Sequence, residues 1–229
     1  MSDQAARPRR TAILGGALLI ACALVWTVSD FSSGRLIVIP YLDVAVGYLA
    51  SLLLLAAMIV LAVGVRGEAG AFGSSRLVIA AAIVFGARNL AFQVQGEALT
   101  PMPTSTLLRV SHVLIPLTLV LDVLFVAAII VVAVAQTRGG RARQLELAAL
   151  WAVSGAQVLL IVTSVIDNVP VQLFLGRAHA ALLFPLCIAV LGVAYLLRGL
   201  QSGVAADDAS RIAPPSSSTD PSWTPSSSH

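Results

Sequence analysis

Residues 117–135 read LTLVLDVLFVAAIIVVAVA, and in this run Asp122 is the single ionisable group. Lipid offers no partner for a free backbone N–H or C=O, so a chain crossing it does so as a helix of about 20 mostly apolar residues. The quoted run is the inner part of such a segment, which we place at Leu107–Ala135. Five more stretches meet the same requirement: Thr11–Val28, Leu36–Val63, Arg76–Gln95, Leu147–Ile166 and His179–Leu197. Leu36–Val63 and Leu107–Ala135 exceed one bilayer thickness, so they tilt or begin as helix above the membrane. The expected fold is therefore all-α, a polytopic transmembrane helical bundle of six spans.

Composition agrees. The 229 residues are 58% hydrophobic and 11% charged, with a mean hydropathy of +0.94. Soluble domains are about a quarter charged, so a water-facing surface cannot be built from this chain. Disulfide-rich, collagen-like and wholly disordered classes fall on the same numbers. The formal charge is +3 and the pI about 9.4, yet the charge is spread over loop ends rather than gathered in a patch. Nucleic acid is therefore not an expected partner; the lipid bilayer is. A membrane-protein partner or a second copy of the chain is compatible with such a bundle.

All fourteen basic residues are Arg, a usage that fits a GC-rich bacterial genome. Arg7, Arg9, Arg10, Arg66, Arg76, Arg138, Arg141, Arg143, Arg198 and Arg211 fall on one side of the alternating loops; Arg35, Arg109 and Arg177 fall on the other. Positive residues stay in the cytoplasm, which puts both termini there and the chain in a cell membrane, the inner membrane of a bacterium. The basic N-terminus followed by Leu19-Ile20-Ala21-Cys22 also resembles a lipoprotein signal. Its apolar run continues through Ala23-Leu24-Val25-Trp26, where a mature lipoprotein turns polar, so an uncleaved first span is the better reading. Cys22 and Cys187 have no metal-site spacing and read as small buried hydrophobes. We divide the chain into an N-terminal two-span hairpin (1–75), a four-helix membrane bundle (76–200) and a Ser/Pro-rich cytoplasmic tail (201–229) expected to be disordered.

Ionisable groups within spans are costly, which makes each a functional candidate. Here they are Asp43, Arg88, Asp122, His112 and His179, with Asn89, Gln93 and Gln157 as neutral companions. Arg88 lies about seven residues, roughly 10 Å, from the outer end of its span. Asp43 lies at a similar depth in the second span, so an Arg88–Asp43 pair is the expected ion pair, acting as a helix lock or as a proton or substrate relay. Asp122 falls nearer mid-membrane, with no partner expected at its level.

His112 and His179 are at the outer starts of the fourth and sixth spans. Two neutral imidazoles at one level, on different helices facing one interior, can supply both axial ligands of a haem iron. The competing reading makes both interfacial side chains with wet ring tips. A weak internal repeat supports the first reading. Phe85-Gly86-Ala87-Arg88 is similar to Ser154-Gly155-Ala156-Gln157, and a histidine follows the glycine after 26 residues in one copy and 24 in the other. Each histidine has an upstream Arg (Arg109, Arg177) and a downstream Pro (Pro116, Pro185).

On these residues, 76–198 resemble one half of the haem A synthase type of membrane protein, and more loosely the cytochrome b561-like bundles. The resemblance implies a b-type haem held by His112 and His179, with Arg109 and Arg177 pairing its propionates. It implies electron transfer or cofactor maturation. A full haem A synthase has two such halves and this chain has room for one. The alternative is a non-redox polytopic protein, a small transporter or an accessory subunit of a membrane complex, in which Asp43, Arg88 and Asp122 matter more. No nucleophile–base arrangement, P-loop, GxGxxG, HExxH or GxSxG occurs, so a lipid-modifying enzyme has the least support.

Overall fold

The computed structural model describes residues 9–33, 42–72, 75–99, 103–136, 141–165, 174 and 178–212. Among the described residues the regular elements are α1 (Arg9–Ser33), α2 (Leu42–Val63), α3 (Arg76–Leu99), α4 (Thr104–Ala135), α5 (Arg141–Val165) and α6 (Phe184–Ile212). A π-helical turn, His179–Leu183, leads into α6. Five stretches are long and apolar enough to cross a membrane: Arg9–Val28, Val44–Val63, Arg76–Gln95, Pro116–Ala135 and Phe184–Ser202. The chain is thus an all-helical protein of multi-pass membrane type. α5 carries the expected fifth span and is not among those five.

Two boundaries differ from expectation, while residues 36–41 of the expected second span lie outside the described residues. α4 begins at Thr104, but its apolar window opens only at Pro116, so Arg109 and His112 lie on a helical extension before the span. α6 runs to Ile212, so the first part of the expected tail is helical; residues 213–229 lie outside the described residues.

Each helix packs on its neighbours in sequence, and α1 closes the ring by packing on α6. Neighbours run antiparallel. Cys22 of α1 donates its thiol to the carbonyl of Ala50 on α2, while Gly15 lies against Leu61. Phe85 stacks on Phe125 across α3 and α4, and Arg198 of α6 reaches back to Glu146 of α5. An even number of alternating helices brings both ends of the ring to one side: Arg9 lies against Gly199.

Between helices in lipid there is no water-driven attraction, so close packing has to supply it. The α1–α6 seam shows how. A Cβ added at Gly16 would meet the carbonyl oxygen of Gly192 at 2.6 Å, and one at Gly192 would meet that of Gly16 at 2.8 Å. The two backbones touch because neither residue has a side chain. Leu19, Leu54, Met58, Phe85, Ile129 and Leu191 fill the interior, while Leu24, Leu52, Leu77, Phe92, Leu124 and Val193 remain exposed on the outside. Helices apolar on both faces belong in a hydrocarbon solvent.

A clasp holds the end of the ring where Arg9 meets Gly199. The loop after α2 turns sharply through Gly64, Arg66 and Gly67, all with positive φ. A Cβ at Gly64 would collide with the backbone of Glu68 and Ala69. The turn presents Glu68 to the start of α1, where its carboxylate accepts from the backbone N–H of Arg10 (3.2 Å) and Thr11 (2.8 Å) and from the Thr11 hydroxyl (3.0 Å). The first N–H groups of a helix lack internal partners and carry the positive end of its dipole. Hydrogen bonds from Thr11 and Arg10 outweigh the upward push of burial and hold the Glu68 carboxyl below its usual value. Gln136, just past α4, donates to the carbonyl of Ala71 in the same loop (3.1 Å).

Candidate intramembrane polar site

α3 carries Arg88, Asn89, Gln93 and Gln95 within its apolar window. Arg88 is held from three sides. Its Nε (3.2 Å) and Nη2 (2.5 Å) both donate to Asp122 Oδ1 on α4. Its Nη1 donates to Asn89 Oδ1 at 3.4 Å. Its guanidinium lies 5.2 Å from the ring centre of Phe92 and 5.4 Å from that of Phe125. Cation–π attraction is strongest where water is scarce, so the two rings stabilise a charge that lipid alone would not tolerate. Towards the α3–α4 connection, Gln95 donates its amide to the Thr118 hydroxyl at 3.1 Å.

This corrects the expectation that Asp122 lacks a partner: its partner is Arg88. The reason lies in the span boundary. Counted from Leu107, Asp122 seemed much deeper than Arg88. The apolar window of α4 opens at Pro116, which puts Asp122 six residues inside it and level with Arg88, seven residues from Gln95. The side chain of Asp43 lies outside the described residues. The legible signal was that α3 and α4 are consecutive and joined by four residues, 100–103; such a hairpin brings equal depths together.

His179 is buried at the start of the π turn, and its Nδ1 has no hydrogen-bond partner among the described residues. Its ring packs on Phe184 (5.9 Å between centres), which in turn packs on Trp26 of α1 (5.3 Å). Of the expected residues the structure joins Arg88 to Asp122, while the π turn that carries His179 packs on α1, α5 and α6. Pro185 explains the turn. It has no N–H for the Ala181 carbonyl and its ring crowds that oxygen; the Phe184 N–H goes instead to the His179 carbonyl, five residues back. π turns recur at functional sites. Pro116 is placed likewise in α4 and has no N–H to give the carbonyl of His112. The side chains of His112 and Arg109, and Arg177 altogether, lie outside the described residues.

The repeat positions occupy different surroundings. Gly86 is pressed onto Leu55 and Met58 of α2, while a Cβ at Gly155 would meet nothing within 4 Å. Gln157, the counterpart of Arg88, is buried. Unforeseen from sequence were the Glu68 clasp and the Glu146–Arg198 pair (3.4 Å), in which the Glu146 side chain is 0% exposed. Both cysteines are buried and free, as their apolar context implied. Among the described residues no group of three or more metal-ligating side chains gathers.

The pair borders a cavity of about 250 Å³ between α3 and α4. Comparison with family models, with curated proteins and with solved structures finds no match for the chain.

Proposed function

We propose that the chain is a six-span protein of a bacterial inner membrane, with both termini in the cytoplasm, and that the Arg88–Asp122 pair is the working centre of a small transporter. The observation that supports this is the placement of the pair. It lies inside the apolar windows of α3 and α4, yet its side chains keep 19% and 16% of their surface open, at the edge of a cavity. A charge pair serving as a helix lock gains from complete enclosure; one left open at the edge of a cavity can meet a solute. A proton taken up at Asp122 converts the carboxylate to a carboxyl, weakens the charge-assisted bonds and frees the guanidinium for a substrate group. Loss of the proton restores the pair.

Reconstituted protein with a trapped pH-sensitive dye tests the reading. Proton flux under an imposed gradient is expected to exceed that of empty vesicles and to vanish in Asp122→Asn. Flux equal to that of empty vesicles in the wild type refutes it. Reporter fusions after His229 and within residues 100–103 test the topology, with cytoplasmic activity expected only from the first.

A second reading keeps the haem. It is favoured by the burial of the His179 ring at the start of the π turn. His112, on the extension of α4, would supply the other ligand, with Arg109 and Arg177 at the propionates. A haem bound there would supply one-electron chemistry. An absorption spectrum of the solubilised protein beside His112→Ala tests it, with a Soret band in the wild type that is lost in the variant.

A further inference from the structure

We infer that the α3–α4 cavity takes a neutral, single-chain amphiphile from the bilayer, with a hydroxyl or carbonyl head seated at Arg88, Asp122, Gln95 and Thr118. The inference rests on the transporter reading and names its substrate class.

Entry is from lipid. The cavity is bounded by α3 residues 84–95 and α4 residues 118–124, all within the apolar windows. Val84, Phe92, Leu121 and Leu124 at its walls are exposed on the outside of the ring. The mouth therefore faces hydrocarbon, and a solute reaching it has to be dissolved there.

The head is neutral because the site is. With Asp122 ionised, Arg88 and Asp122 cancel, so an anion approaching the guanidinium meets the carboxylate and a cation meets the reverse. The neutral groups remain. Gln95 spends its amide on the Thr118 oxygen, which leaves the Gln95 oxygen to accept and the Thr118 hydroxyl proton to donate. A hydroxyl can use both, and a carbonyl the Thr118 proton.

The size admits one chain. At about 250 Å³ the cavity lies at or below the small end of ligand sites, about 300–1,000 Å³. It has room for a head and the first part of one chain, whose remainder continues into lipid past Val84 and Leu124.

The experiment is photolabelling of the full chain in vesicles with a diazirine-bearing hexadecanol, followed by peptide mapping. Label is expected in residues 84–95 and 118–124, displaced by hexadecanol about tenfold better than by palmitate or hexadecylamine, the worth of one good hydrogen bond. Ala91→Trp, which fills the cavity, is expected to reduce that label to the level of the lipid-facing α2 peptides. Thr118→Val, a milder change, is expected to erase the preference for the alcohol over palmitate. Uniform labelling of all lipid-facing helices, equal displacement by palmitate, or a crosslink to a second copy at this face overturns the inference. The proton-flux assay separates the two failures. Flux lost in Asp122→Asn without site labelling keeps the transporter and removes the ligand; site labelling without flux keeps the ligand and removes the transporter.

Discussion

Arg88 donates both Nε and Nη2 to one oxygen of Asp122, Oδ1, and so joins α3 to α4 inside the apolar windows of both helices. Removing either partner leaves the other charge uncompensated, at a cost of about 3–5 kcal/mol where burial is complete and less for a pair as open as this one. Arg88→Met and Asp122→Leu are each expected to lower the melting temperature of the solubilised protein, and the double variant to melt above both. Thermal unfolding followed by size-exclusion chromatography checks this; additive losses in the double variant would show that the two side chains act independently.

The α1–α6 seam makes a contrasting prediction at two glycines. In Gly192→Val the new side chain meets the Gly16 carbonyl and Ile20. A backbone oxygen cannot step aside, so the helices separate and a marked loss of folded yield is expected. Gly155→Val meets nothing within 4 Å and is expected to keep wild-type yield, with the melting temperature shifted only slightly.

The Glu68 clasp predicts a pH dependence. Its carboxyl is held below the usual value of 4.5 by hydrogen bonds from Thr11 and Arg10 that outweigh the burial acting against them. A group whose pKa is depressed on folding stabilises the fold above its unfolded value, and that stability is lost as pH falls through the folded value. Stability is therefore expected to hold at neutral pH and to decline on acidification below about 4.5. Glu68→Gln should be less stable at neutral pH by about 1 kcal/mol, the typical worth of a helix cap. It should also decline less steeply in acid, as melting curves across pH will show.

The π turn ties His179 to Pro185. Pro185→Ala restores an N–H for the Ala181 carbonyl and lets the turn relax to α-helix. Dropping the extra residue rotates His179 around the helix axis by roughly 100°. Acylation of His179 by diethyl pyrocarbonate, read by peptide mapping, is expected to rise from the low level its burial implies. Unchanged reactivity would show that the turn does not depend on the proline.

The amino-acid sequence alone carries the solvent of this protein and its helices, because hydrocarbon demands long apolar runs and tolerates few charges. Arg76–Gln95 was delimited from residues to the same bounds as its helical window, and Arg88, Asp122 and His179 stood out because an ionisable residue in such a run is rare. Pairing was not legible, since depth was counted from the start of an apolar stretch, and α4 begins above its span. Only the folded ring made Arg88 the partner of Asp122, set Gly16 against Gly192 and brought Glu68 to the start of α1. Those contacts join residues far apart in sequence, and they depend on which helix faces come together, a property that nearly uniform apolar helices do not write into their order.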